Sequence, residues 1–322
     1  MDRFERITKC CNLKGKGLEI GPSFNPVCPK AAGYDIEILD CLDQDGLRKR
    51  YGDDPNVGER IKQIEEVDYV WHGENYVELT GKQDYYDYII ASQVIEHTVD
   101  LIAFLNQCSM LLKKDGVLSL TVPNKYCTFD FFRENSSLSS VINRHVSGAT
   151  NHSKGAIVDY YANVVKLNGI GSWDQEQLRN YGDLVFCHTK KELSNAAKTD
   201  DFVDIHEWVF TAGSFRILLN DLRELGLIDL YEDSFYSDPK NSYEFFITLK
   251  KSNSIESEES FNQEKRMALY DYKMKEDISA CSVFLNEPSS IGLKRELILY
   301  TKRHLPKSFV NAAGKFLRFM RR

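Results

Sequence analysis

What this chain of 322 residues lacks says a good deal about what to expect of it. No stretch approaches the ~18 consecutive apolar residues of a membrane span, so no membrane-crossing helix is expected. The opening MDRFERITKCCNLKGKG has no apolar run of the kind a secretory signal carries, which places the expected location in the cytoplasm. The eight cysteines are scattered, Cys10-Cys11 being the only close pair, and no Cys-x-x-Cys occurs. Reduced thiols are therefore expected in place of a disulfide framework or a zinc site. Internal repeats and long low-complexity segments are absent too. So is the three-glycine loop that cradles a pyrophosphate after the first strand of dinucleotide-binding folds: here a single glycine is followed by Pro22 and Ser23.

What is present is ordinary in amount and uneven in distribution. Hydrophobic residues make up 42% and charged residues 28%, as in soluble globular proteins, and the length suits one large α/β domain or two smaller ones. The net charge of −7 conceals a split: from Ile291 to Arg322 nine Lys/Arg stand against Glu296 alone, a net of +8. The other residues carry 32 basic and 47 acidic groups, a net of −15. An acidic body argues against a nucleic-acid partner, and the basic tail points to something anionic.

Period and punctuation give an alternating pattern. Residues 17–20 form a short strand ended by Gly21-Pro22, residues 34–40 a second, 67–71 a third and 86–92 a fourth. Helical spacing follows over 45–51 and over 101–112, the latter stopping at Lys113-Lys-Asp-Gly116 with glycine where a C-cap is expected. A fifth strand spans 117–122. Strands separated by helices imply parallel pairing in a doubly wound sheet. From 124 to 204 the chain is rich in Tyr, Phe, Asn and Ser, with helical pieces and no strand rhythm. An amphipathic helix at 211–225, closed by Gly226, leads to strands at 228–235 and 243–250, whose short connection favours an antiparallel hairpin. Residues 252–262 read as a linker, and 263–322 as a helical, basic, amphipathic extension.

Ligands of open α/β sheets bind beyond the carboxyl ends of the strands. Glu19, just before the lone Gly21, would repel a pyrophosphate there and attract a cofactor that carries positive charge. With those residues on the page a resemblance appears. Glu19-x-Gly21 after a strand is similar to the first motif of the class I S-adenosylmethionine (SAM) methyltransferases. Asp40 resembles their ribose-binding acid, and Asp87-Tyr-Ile-Ile-Ala-Ser-Gln-Val-Ile-Glu-His97 their fourth motif and the run after it. Leu111 to Pro123 resembles their helix-glycine-strand segment, and His206-Glu-Trp-Val-Phe-Thr a stretch before their last helix. The likeness covers residues 10 to 251. It implies a seven-stranded, mostly parallel Rossmann-like sheet over residues 1–251, the 124–204 insertion capping the acceptor pocket. It also implies SAM as cofactor, with Glu19, Gly21, Ser23, Asp40, Ser92, Gln93 and His97 as its binding residues. Asp40 reads alternatively as a helix cap, although Asp43 is better placed for that. His72 and Glu74, at the end of the third strand, suit adenine packing and plain surface polarity equally. Some of these enzymes hold a divalent ion through a Glu-x-x-Glu-His run. Here the first position is Gln93, a poorer ligand for a hard cation, so no metal is expected.

Methyl transfer from a sulfonium is an in-line displacement, in which alignment supplies about 7–11 kcal/mol in favourable cases. A hydroxyl acceptor also profits from a positioned base, worth about 10²–10⁴ in rate, and histidine is the natural one near neutral pH. His97, His145, His152, His188 and His206 fall near expected strand ends or in the insertion. His145, His152 and His206 are the candidates for the base, each reading equally as a hydrogen-bonded structural histidine. Arg133 and Arg144 suit an acidic acceptor or plain solvation. On a helical wheel of residues 307–322, Phe309, Ala313, Phe316, Leu317 and Met320 oppose Lys307, Lys315, Arg318, Arg321 and Arg322. Such a helix suits the plane of an anionic membrane, or packing on the domain or on a partner. LEIGPSFNP and SQVIEHTVD also resemble bacterial methyltransferases associated with cell-surface polysaccharide synthesis. That implies O-methylation of a sugar in a surface glycan or its precursor, at the inner face of the plasma membrane and beside glycosyltransferase partners. The alternatives are methylation of a lipid or small metabolite, or a non-catalytic SAM- or nucleotide-binding scaffold.

Overall fold

Apolar runs four to eight residues long, set between turns, are too short to bury a helix and pair instead as strands. The computed structural model describes residues 1–178, 181–199, 201–238, 243–251 and 262–285. Along the chain the elements are α1 (Arg3–Thr8), β1 (Gly17–Ile20), β2 (Ile36–Asp40), α2 (Gln44–Tyr51), β3 (Tyr69–Val70), α3 (Tyr76–Thr80), β4 (Tyr86–Ser92), α4 (Leu101–Leu111) and β5 (Leu112–Pro123). After them come α5 (Leu138–Ser147), α6 (Lys154–Asn163), β6 (Val165–Leu167), β7 (Leu184–Phe186), α7 (Lys190–Ala196), α8 (Ala212–Glu224), β8 (Leu230–Tyr236), β9 (Glu244–Lys251) and α9 (Gln263–Leu285).

Seven strands form one sheet in the order β3-β2-β1-β4-β5-β9-β8. The first five pair in parallel, while β9 runs antiparallel between β5 and β8. The expected doubly wound, seven-stranded sheet with its closing hairpin is the observed one. Chain order reverses between β1 and β4, so the loops after these two strands diverge and leave a crevice at their carboxyl ends. Strands buried on both faces read as continuous apolar runs. On one face Ile89, Leu118 and Leu120 pack with Leu105 of α4 and Phe215 and Leu222 of α8. On the other, Tyr88, Ile90 and Phe246 pack with Ile7 of α1. Gly17 is confined to glycine by this packing, since a Cβ there would come within 2.4 Å of the Tyr88 ring.

Caps account for the helix ends. Asp43 caps α2 through the Gly46 N–H and Thr211 caps α8 through the Ser214 N–H, with Gly226 at φ +70° just beyond α8. The expected glycine cap of α4 is corrected. That helix ends at Leu111, and the Leu112 N–H bonds back to the Cys108 and Ser109 carbonyls. Leu112 is already paired with Tyr86, so the chain enters the sheet without a cap loop. Residues 113–116 then bulge out before Val117 pairs with Tyr88, and Asp115 at φ +63° takes the left-handed position in place of Gly116.

The insertion is not wholly helical. Besides α5, α6 and α7 it holds an antiparallel pair, β6 with β7, each strand three residues long. Phe131, Val165, Leu167, Trp173 and Leu184 build a small core of their own beneath that pair. The domain boundary drawn at residue 251 also moves. Leu269 and Ala280 of α9 are buried, and the Glu276 carboxylate accepts the Ala212 and Gly213 N–H groups at 3.1 and 2.9 Å. An acid from α9 thus satisfies the orphan donors at the start of α8, and burial raises its pKa. The expected linker (apart from Asn262) and the basic tail at 306–322 lie outside the described residues. Among those described, no helix is long and apolar enough to cross a membrane.

Candidate active site

The loop after β1 turns at Gly21, whose φ is +63° and whose N–H bonds the Leu39 carbonyl at 2.8 Å. A Cβ at this position would lie 2.9 Å from Val94 Cγ2, in the loop after β4, so backbone angle and space both ask for glycine. Two carboxylates at neighbouring strand ends then hold the loop. The Ser23 N–H donates to Asp40 Oδ2 at 3.1 Å, and the Cys41 N–H to Oδ1 at 2.7 Å. Asp40 is buried, and burial raises its pKa. Glu19 is 1% exposed and accepts the Val27 and Cys28 N–H groups at 2.7 and 3.2 Å. Burial pushes its pKa up to about 7.

This geometry changes the expectation for Glu19. Its carboxylate faces loop amides and not the crevice, so it acts on whatever the loop binds by fixing the loop's shape. Ser23 contributes its backbone, at φ +52°. At the end of β4, Ser92 Oγ accepts from Arg3 Nη2 at 2.8 Å, and Gln93 Nε2 donates to Glu244 Oε2 at 3.0 Å. Arg3 and Glu244 also form an ion pair at 2.7 Å. Both polar side chains at this strand end are thus held by the first helix and the last strand. Sequence reasoning missed Arg3 and Glu244, and an arginine in a short terminal helix carries no signal that could have found it. His72 and Glu74 form a local exposed turn in which the His72 N–H donates to Glu74.

Beyond β4 the chain makes one tight turn, residues 95–97. Glu96 is fully buried, and neither of its carboxylate oxygens has a hydrogen-bond partner among the described residues. His97 Nδ1 lies 2.9 Å from Asp204 Oδ1, and Asp204 also pairs with Arg50. The His206 ring stands edge-on to that of His97 at a centroid distance of 4.7 Å, its Nδ1 being 2.5 Å from Asp130 Oδ2. In the sequence Glu96 stands out only as the acid of the Gln93-x-x-Glu96-His97 run; Asp130 and Asp204 have no motif to mark them.

The three candidate bases are not gathered in one place. His145, at the end of α5, pairs with Asp100 at 2.8 Å, and like His152 and His206 it is not among the residues that line the pocket described next. His152 Nδ1 lies 3.1 Å from Glu207 Oε2, while its Nε2 is buried without a partner. Between α5, α6 and residues 133–136 and 207–209 lies a pocket of about 450 Å³, lined by Arg133, Arg144, Ser136, Ser140, Asn143, Ser153, Glu207 and Trp208 among others. Arg144 donates to the Val99 carbonyl, and its Nη2 is buried without a partner. Arg133 donates through Nε to Asp159 and through Nη1 to Asp130 and the His206 carbonyl. Arg133 lines the pocket and also bonds Asp130 and the His206 carbonyl, so it joins the pocket to the histidine cluster.

The crevice fits the cofactor that the resemblance implies. The missing Cβ of Gly21 leaves backbone open between the β1 and β4 loops, and each Asp40 oxygen, having accepted one N–H, keeps a lone pair for a hydroxyl donor. Comparison with known proteins agrees. The family model described as "Methyltransferase domain" matches residues 2–207. No curated protein matches the chain. Among solved structures it is similar to a SAM-dependent methyltransferase from Aquifex aeolicus, at 12% identity and a TM-score of 0.39, covering 78% of this chain and 90% of that one. It is similar to one from Mesorhizobium loti at 8% identity and a TM-score of 0.39, covering 76% and 95%. A geranyl diphosphate C-methyltransferase from Streptomyces coelicolor aligns at 10% identity and a TM-score of 0.36, covering 78% and 75%. The domain match spans well over half of the chain, the sheet has the matching topology, and the chain belongs to the methyltransferase-domain family as a SAM-dependent methyltransferase.

Proposed function

We propose that the acceptor is a sugar hydroxyl of a cell-surface glycan or its precursor, so that the reaction is an O-methylation. The observation that carries this reading is the lining of the 450 Å³ pocket, where serines, Asn143 and Glu207 offer mixed donors and acceptors beside the single aromatic face of Trp208. Sugars present hydroxyls of both senses and an apolar C–H face, which such a lining matches. Support for a surface polysaccharide comes from the resemblance of LEIGPSFNP and SQVIEHTVD noted above. The direct test is mass spectrometry of surface glycan from cells with and without the gene; absence of a 14-dalton difference, about the mass of one added CH₂, would sink the proposal.

SAM, when bound, supplies an electrophilic methyl on a sulfonium. The protein holds it with the backbone at Gly21 and Ser23 and the Asp40 carboxylate, in a loop whose shape Glu19 fixes. Proximity and orientation then supply most of the acceleration, and a base accepts the hydroxyl proton. His152 and His206 do not line the pocket, but each is held through Nδ1 by a carboxylate and adjoins a lining residue, so these two are proposed for that role. Asp40→Ala is expected to weaken SAM binding by about 1–3 kcal/mol, roughly 5- to 150-fold, in calorimetry. An unchanged affinity would move the ribose contact elsewhere, though not to Asp43, which is occupied in capping α2.

The basic amphipathic residues 306–322 are proposed to hold the enzyme on anionic lipid at the inner membrane face, where lipid-linked precursors and glycosyltransferase partners would meet it. Full-length protein should co-sediment with phosphatidylserine vesicles at low salt, and a chain truncated after residue 305 should not. Equal partition of the two would end that idea.

A further inference from the structure

We propose that Glu96, His97 and His206 form a binding site for one divalent transition-metal ion. One carboxylate oxygen and one ring nitrogen from each histidine lie within 4.8 Å of one another. Asp204 and Asp130 engage the two Nδ1 atoms, at 2.9 and 2.5 Å. A carboxylate accepts, so each histidine donates its Nδ1–H to its own acid and turns Nε2 away from it. No hydrogen bond reaches either Nε2, and none reaches Glu96, among the described residues. The cluster thus gathers two imidazole rings, each held at Nδ1 by an acid, around a buried carboxylate that no donor reaches among the described residues. A buried carboxylate without donors is costly. A cation shared with the two rings removes that cost.

The surroundings are those of a ligand site. Histidines that bind a metal are usually oriented by a carboxylate on the other ring nitrogen, and here both are. Two imidazoles and a carboxylate suit zinc, cobalt, iron or manganese better than calcium or magnesium. Bonds of about 2.0–2.2 Å would draw the side chains slightly together. Gln93, whose amide weakened the metal expectation in the sequence, plays no part. Its side chain is turned to Glu244, and the third ligand comes from His206, distant in the sequence. Three protein ligands leave a tetrahedral ion one position for water or an acceptor oxygen. An ion there would acidify a coordinated hydroxyl and leave His152, held by Glu207, as the remaining candidate base. That use rests on the hydroxyl reading above, whereas the binding does not.

The test uses full-length protein stripped with a chelator and titrated with Co²⁺, followed by visible absorption, and with Zn²⁺ in a calorimeter. One ion per chain is expected. Glu96→Gln and His206→Ala should each weaken binding by about 100-fold or more, and Asp204→Asn, which only orients His97, by about 10–100-fold. Wild-type protein that takes up neither ion at one per chain overturns the proposal. So does wild-type affinity in a folded Glu96→Gln or His206→Ala variant. Should one variant fail to fold, the wild-type stoichiometry and the other variant decide. No acceptor is needed, so failure here leaves the sugar-hydroxyl reading untouched, and failure there leaves this site standing.

Discussion

Arg133→Ala is expected to destabilise the protein by about 3–5 kcal/mol, because it removes one partner from a buried ionic network and leaves the rest uncompensated. Arg133 is among the largest fully buried side chains, at 2% exposure. Its guanidinium donates to Asp159 Oδ2 at 2.7 Å, to Asp130 Oδ1 at 2.9 Å and to the His206 carbonyl at 2.9 Å, with the Tyr160 ring beneath it. Without it Asp130, equally buried, is left with the His206 ring as its side-chain partner. Arg133→Lys retains the charge but not the fork that reaches three acceptors, so it should recover only part of the loss. Urea unfolding of the full-length chain measures both. A midpoint for Arg133→Ala within the error of wild type would mean that water already reaches this network. Activity should fall along with stability, since Asp130 orients His206.

Glu19 carries the second large effect, and its sign follows from burial. With a native pKa near 7 and an ordinary value of 4.5, the carboxyl holds its proton more tightly folded than unfolded. Burial is the cause, only partly offset by the Val27 and Cys28 N–H groups. The stabilisation is therefore fully present below pH 4.5 and is lost as pH rises towards 7, a change of about 3 kcal/mol. Glu19→Gln cannot titrate. The difference between wild-type and variant stabilities should accordingly run in one direction across that window and level off above it. Denaturant midpoints at half-unit steps of pH would show this, and parallel curves would place Glu19 in contact with water. The amide also sets an NH₂ group against one of the two loop N–H donors, so SAM affinity should fall together with the loss of that hydrogen bond, about 1–3 kcal/mol.

Much of the site's scaffold was legible because its signals are local. Gly21 after an apolar run, Asp43 before a helical stretch and Gly226 behind another each act within a few residues through backbone angle or capping, and all stand where they were read. The Gly116 cap failed for a tertiary reason: Leu112 pairs with Tyr86 in the sheet before a cap loop can form. Strands β6 and β7 escaped notice because three residues are too few to display a period.

By itself the sequence determined the alternation of strands and helices, the glycine turn after the first strand and the family, since hydrophobic period and turn chemistry are written into neighbouring residues. Only the tertiary structure decided which polar groups meet. It turned Glu19 onto its own loop, tied Arg3 to Glu244 across 241 residues, paired His145 with Asp100 and brought His206 to His97 and the unpartnered Glu96. The physical reason is that a charged side chain taken from water must find its partner wherever the packed core leaves one, and no local pattern encodes that address.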